Sequence, residues 1–163
     1  TNALRVLGFK AGAVTFIGDI LKGVVSFIIA RWLFPDMGIL AGIYACAGTI
    51  LGHDFPFYLH FKGGKGIAAT IGLVLCIGFT ESMPLMLISF IIGIVAVAMS
   101  GYISLGSMLF SIAIPVCAFF FQLPLEGALV LTALTILALW KHRANIGRLR
   151  AGNENKFTLT KKV

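Results

Sequence analysis

At 163 residues, 59% of them hydrophobic and only 12% charged, the chain has too little polar material to cover a water-facing surface. That excludes an ordinary soluble domain and predicts an all-α, polytopic membrane helix bundle. The formal charge of +7 would suggest a nucleic-acid partner in a soluble protein. Here the basic residues lie between and after apolar segments, where they orient the chain in a membrane, so no nucleic-acid partner is expected.

In chain order, Thr1 to Lys10 is a short basic lead, and Ala11 to about Phe34 is long enough for a first crossing. Asp19 and Lys22 interrupt it three residues apart, on one helical face. They read either as a buried pair facing the bundle or as groups that reach a substrate region. Arg31, Pro35, Asp36 and Gly38 mark the turn. Ile39 to Leu51 returns, with Ala41, Gly42, Ala45 and Gly48 suited to close helix packing. After a polar loop from Gly52 to Gly66, Ile67 to Phe79 is short for a crossing. Leu85 to Ser100, Leu105 to Phe121 and Gly127 to Trp140 complete six apolar segments, and Pro115 predicts a kink whose freed backbone group a neighbour must satisfy. Cys46, Cys76 and Cys117 lie far apart in apolar runs and read as packing residues, with no disulfide frame or metal spacing.

An even number of crossings returns both ends to one face. Of the thirteen Lys and Arg residues, all but Lys22 and Arg31 then fall on the face shared by the lead, the Gly52 to Gly66 loop and the tail, which the positive-inside rule makes cytoplasmic. Three polar groups meet on that face: Arg5 and Lys10, the loop from His53 to Lys65, and Lys141 to Leu149. In the loop, Lys62-Gly63-Gly64-Lys65-Gly66 offers two ammonium groups and Cβ-free backbone N–H groups for one anion. Arg forks onto phosphate oxygens and Lys acts as a point charge, so this is a phosphate-suited face. A nucleotide-binding Walker loop is excluded by Leu59 and Gly66 at its required positions. His53, Asp54 and His60 match no metal-ligand spacing, and neither a metal nor a cofactor is expected. On a helix continuing from Trp140, His142, Asn145 and Arg148 would share one face.

These stretches resemble the bacterial acyl-phosphate:glycerol-3-phosphate acyltransferase family, commonly called PlsY. One of its motifs is similar to Gly52-His53-x-Phe55-Pro56 with Phe61-Lys62-Gly63-Gly64-Lys65-Gly66. Another is similar to His142-Arg143-x-Asn145-Ile146-x-Arg148-Leu149-x-x-Gly152-x-Glu154, and the end of a third to Thr1-Asn2-x-x-Arg5. The resemblance runs over nearly the whole chain, in the right order. It implies a single integral membrane acyltransferase domain over 1–163, truncated at its N-terminus relative to a family of seven helices. It further implies transfer of a fatty acyl group from acyl phosphate to glycerol 3-phosphate, giving lysophosphatidic acid for phospholipid synthesis in the bacterial inner membrane, with an upstream acyl-phosphate-forming enzyme as partner.

By the same resemblance, Arg5, Lys65, His142 and Asn145 hold the glycerol phosphate. Lys62, Gly63, Gly64 and Gly66 cradle the acyl phosphate, and Asn2 and His53 stand at substrate-binding motif positions. Arg148 and Glu154 shape the site. Lys65, His142 and Asn145 are the expected catalytic residues, with either His142 or the substrate's own phosphate as the base. The soluble-type acyltransferase signature, His followed five residues later by Asp, is absent: Tyr58 follows His53 and Gly147 follows His142 at that spacing. A competing expectation is a small membrane transporter or channel for an anion. That function favours polar groups near the bilayer midplane, whereas only Asp19 and Lys22 lie deep in an apolar segment.

Overall fold

The computed structural model describes residues 2–157, with side chains from Gly8 onward. Among the described residues the chain forms seven α-helices: α1 (Asn2–Leu33), α2 (Ile39–Asp54), α3 (Ile67–Thr80), α4 (Met83–Ser100), α5 (Ile103–Phe120), α6 (Leu125–Lys141) and α7 (Arg143–Arg150). They group into two compact units, Thr1–Met83 and Pro84–Val163, each described by itself.

In the first unit the basic lead is itself helical, and the helix breaks at Gly8 (φ 84°). Glycine alone tolerates that backbone without strain, so the apolar crossing proper starts there. Gly8–Leu33 has the length and apolarity of a crossing. At 16 and 14 residues, α2 and α3 rise only about 24 and 21 Å at 1.5 Å per residue, less than a ~30 Å hydrocarbon core. The end of α2 therefore meets α1 part-way along its length.

Glycines set the helix contacts. A Cβ on Gly23 of α1 would stand 2.6 Å from the Ala69 carbonyl oxygen of α3, and one on Gly42 of α2 would overlap the Phe27 ring. The expected small-residue face of α2 is used only in part: Ala41 and Gly42 are buried, while Gly48 is exposed and faces open space. At the other end, Arg31 at the end of α1 pairs with Glu81 after α3 at 3.3 Å.

In the second unit, α4 and α5 each qualify as crossings, and α6 with α7 does so if that bent pair is counted as one. Gly93 and Gly106 bring α4 and α5 together: a Cβ on Gly106 would lie 2.6 Å from the Gly93 carbonyl. Pro115 leaves the Ser111 carbonyl without its helical N–H donor. The hydroxyl of Thr135 on α6 donates to that carbonyl at 2.8 Å, so a neighbouring helix supplies what the proline removes. Exposed Ile91, Ile94, Met99 and Val116 present apolar surface suited to lipid. The six expected helices are present among the described residues; three of them, or four with the bent pair counted as one, are by themselves long and apolar enough to cross a membrane.

Candidate functional site

The first unit holds the lysine–glycine loop. Helix α2 runs to Asp54, placing His53 and Asp54 in its last turn instead of in the loop where the sequence reading set them. A single 3-10 turn, Phe57–Leu59, follows, then His60 and Phe61, both in the left-handed region (φ 51° and 60°). Two such non-glycine residues in succession are costly, and functional loops are where such strain collects. The chain then folds back on the end of α2: Gly63 N–H donates to the Asp54 carbonyl at 3.2 Å, and Gly64 N–H to that of His53 at 3.1 Å.

These bonds correct the expectation that the Gly63 and Gly64 amides face an anion. They satisfy carbonyls that the end of α2 would otherwise leave unpaired. What the glycines supply is closeness. A Cβ on Gly63 would overlap the His53 carbonyl oxygen, and one on Gly64 would overlap His53 Nε2. Gly66 (φ 68°) starts α3, and a Cβ there would lie 3.3 Å from the buried Asp54 carboxylate. Within this folded loop Lys62 is exposed and Lys65 half-buried.

Asp19 and Lys22 belong to this cluster, which the sequence reading placed outside the site residues. Lys22 Nζ lies 2.7 Å from Asp19 Oδ1 and is also in hydrogen-bond contact with His53 Nδ1. The two charges satisfy each other, as intramembrane charges usually do, and the lysine also reaches a motif histidine, although the pair is partly exposed. The available signal was the short α2, which ends level with the middle of α1.

The second unit holds the other polar cluster. The helix expected to continue from Trp140 instead bends by 54° at His142, between α6 and α7. Arg143 stacks over the Trp140 ring, 4.2 Å from its centre, and donates to the Trp140 carbonyl at 3.1 Å. His142 is buried, and its Nδ1 lies 2.7 Å from the Ala138 carbonyl. A carbonyl oxygen only accepts, so Nδ1 carries a hydrogen; when the ring is neutral its lone pair is therefore on Nε2.

Helix α7 ends in a glycine turn: Gly152 (φ 69°) donates to the Leu149 carbonyl and Asn153 to that of Arg148. This turn sends the chain back along α7, and Phe157 N–H ties it to the Gly101 carbonyl at 2.8 Å. Glu154 is thereby buried between two motif residues, accepting from Asn145 Nδ2 at 2.9 Å and from Arg148 Nε at 2.8 Å. Burial pushes its carboxyl pKa up, but the bonds from Asn145 and Arg148 and the Arg148 charge outweigh this and hold it below the ordinary carboxylate range. The same bonds turn Asn145 Oδ1 away from Glu154. His142, Asn145, Arg148 and Glu154 are thus brought together in this unit, as His53, Gly63, Gly64 and Gly66 are in the first. The side chains of Asn2 and Arg5 lie outside the described residues.

A family profile described as glycerol-3-phosphate acyltransferase matches residues 1–152. A glycerol-3-phosphate acyltransferase of Shouchella clausii is 41% identical over 165 residues, spanning 96% of this chain and 77% of the relative. One of Alkaliphilus metalliredigens is 42% identical over 159 residues, spanning 96% and 76%. Crystal structures of PlsY, an integral membrane glycerol 3-phosphate acyltransferase, match at 31% identity over 96% of this chain. The lysophosphatidic acid form gives a TM-score of 0.83 over 78% of that chain, and the glycerol 3-phosphate form 0.85 over 76%.

Proposed function

The chain belongs to the glycerol-3-phosphate acyltransferase family, and on that premise we propose that it moves a fatty acyl group from an acyl phosphate to glycerol 3-phosphate, forming lysophosphatidic acid. The observation that carries this reading is the match of the family profile over 1–152, a stretch containing both polar clusters except Glu154. In the reaction, a glycerol hydroxyl oxygen attacks the acyl carbonyl carbon, the bond from that carbon to the phosphate oxygen breaks, and inorganic phosphate leaves. Phosphate is a good leaving group, so positioning and charge stabilisation are the protein's main tasks.

The lysine–glycine loop supplies Lys62 and Lys65 to phosphate oxygens, with the glycines shaping the loop around His53. The α6–α7 bend supplies His142 and Asn145 to glycerol 3-phosphate, with Arg148 and Glu154 holding Asn145 in place. We assign the hydroxyl proton to His142 Nε2, a reading supported by the Nδ1 hydrogen bond to the Ala138 carbonyl. Arg5 and Asn2 belong to the same substrate-binding set by motif. We place the protein in the bacterial inner membrane with both polar clusters and the C-terminus cytoplasmic. This orientation rests on the distribution of Lys and Arg. An enzyme that makes acyl phosphate must supply the donor.

The test is product formation by the full gene product, purified in detergent, from glycerol 3-phosphate with palmitoyl phosphate or palmitoyl-CoA. Lysophosphatidic acid from palmitoyl phosphate alone is the expected result. Product from the thioester alone would overturn the donor assignment, and product from neither donor would overturn the function.

A further inference from the structure

We propose that the turn from Phe57 to Lys62 is a membrane-interface anchor: its apolar side chains enter the headgroup–acyl boundary of the bilayer and hold the adjoining lysine–glycine loop at that depth. The inference deepens the acyltransferase reading and rests on it for one point, that the loop's ligand is an acyl phosphate, an amphiphile whose phosphate lies at the same boundary.

The turn carries large apolar groups and buries none of them. Phe57, Tyr58, Leu59 and Phe61 are 79%, 71%, 51% and 64% exposed, and His60 and Lys62 are exposed as well. Single apolar residues on a surface need no explanation, but four within five residues mark a contact surface. The backbone that displays them is strained, with φ of 51° at His60 and 60° at Phe61. Strain of this kind persists only where it serves something. It gains no core packing here, so the outward display of these side chains accounts for it.

The backbone bonds indicate what covers the patch. The N–H groups of Leu59 and Phe61 donate to the Pro56 carbonyl, that of His60 to Phe57 and that of Lys62 to Leu59, all at 3.0 to 3.1 Å. With the Gly63 and Gly64 bonds to the end of α2, every amide from Leu59 to Gly64 is satisfied within the chain. A peptide partner that adds main-chain bonds finds no free donor in that run. Backbone whose donors are already paired is what the poorly hydrated edge of a bilayer admits. The residue types agree: Phe and Leu suit the acyl side, Tyr puts a ring there with its hydroxyl among headgroups, and Lys62 extends its ammonium to lipid phosphates. Helix α2 leads into the turn with Leu51 of its last turn 46% exposed, so apolar surface is already present where the turn begins.

The experiment places a nitroxide at Tyr58→Cys in the full gene product, reconstituted in vesicles of phosphatidylethanolamine and phosphatidylglycerol. Cys46, Cys76 and Cys117 are buried, so the unmodified protein taken through the same labelling sets the background. Collisions with dissolved oxygen, which concentrates in lipid, are compared with those of a water-soluble nickel chelate. Oxygen should dominate, at a depth of about 5–10 Å into the headgroup–acyl boundary. Collisions dominated by the nickel chelate would put the turn in water, as for a solvated loop or a docking site for a soluble protein, and would overturn the proposal.

A kinetic measurement in the same vesicles tests the consequence for the donor. Phe57→Gln/Tyr58→Gln alters exposed groups that take no part in the assigned chemistry. It should raise KM for palmitoyl phosphate roughly tenfold, on the scale of losing the burial of two aromatic side chains, and leave kcat and KM for glycerol 3-phosphate unchanged. Phe57→Trp/Tyr58→Trp keeps interfacial residues at both positions and should retain the original KM. An unchanged KM for palmitoyl phosphate in the glutamine variant, with a normal unfolding transition, would also overturn the proposal. If the unmodified protein makes no lysophosphatidic acid, the acyltransferase reading fails, while the nitroxide depth still decides whether the turn enters the bilayer.

Discussion

Glu154 is the residue on which the polar end of the second unit turns, because one buried carboxylate accepts from Asn145 and Arg148. Glu154→Ala leaves the buried Asn145 amide without its acceptor, and should cost about 1–3 kcal/mol in unfolding measurements and lower kcat/KM for glycerol 3-phosphate. The carboxyl is held below its ordinary range, so its contribution is complete above the unfolded pKa and is lost only as pH falls through the lower folded value. A thermal-shift series should therefore show no Glu154-dependent change from neutral pH down to about pH 5. At His142 the Ala138 carbonyl sets the tautomer, and His142→Gln should lower kcat by about 10²–10⁴ if the ring takes the proton. A loss below tenfold would move that role to the substrate's own phosphate. The sequence makes His142, Asn145 and Arg148 legible by spacing, and Glu154 by motif. The buried clamp is not legible, because it depends on the glycine turn at Gly152 reversing the chain.

At the scale of the helix, two devices govern packing. The first is polar repair: Thr135 on α6 gives the Ser111 carbonyl the donor that Pro115 cannot. Thr135→Val keeps the shape and removes the hydroxyl, and should destabilise the detergent-solubilised protein by about 1–2 kcal/mol in chemical or thermal unfolding. The second is close approach. Gly23→Ala puts a methyl against the Ala69 carbonyl and should cost about 1–3 kcal/mol, whereas Gly48→Ala enters open space and should be neutral or slightly stabilising by up to about 1 kcal/mol. A melting-temperature comparison of the two variants checks both.

Helix positions and the need for a proline repair follow from hydrophobic spacing and from Pro115 within an apolar segment. Three features do not. The Gly8 break and the His142 bend arise from backbone geometry within an apolar or basic run that periodicity continues straight through. The placement of Gly42 inside and Gly48 outside depends on which face of α2 meets Phe27. The lysine–glycine loop shows the same limit, since glycines suggest exposed N–H donors until the chain folds back and their amides cap α2.

At the scale of the whole molecule, a chain with few charges spends them on two polar clusters and on orienting itself in the membrane. Apolar helices with glycine crossings need no charge for packing; within α1, Asp19 and Lys22 pair with each other and the lysine contacts His53. Anion transport would use the same residue types but would leave acyl phosphate unchanged. Lysophosphatidic acid formation therefore separates the two functions, and Lys65 is the residue whose charge the acyltransferase account needs most. The decisive measurement is turnover of palmitoyl phosphate and glycerol 3-phosphate by Lys65→Ala beside the unmodified protein, both shown to be folded by their unfolding transitions. The predicted result is robust product from the unmodified protein and a loss of about 10²-fold or more in the variant, the scale of removing one preorganised charge-stabilising donor. Equal turnover by the two proteins would contradict the account.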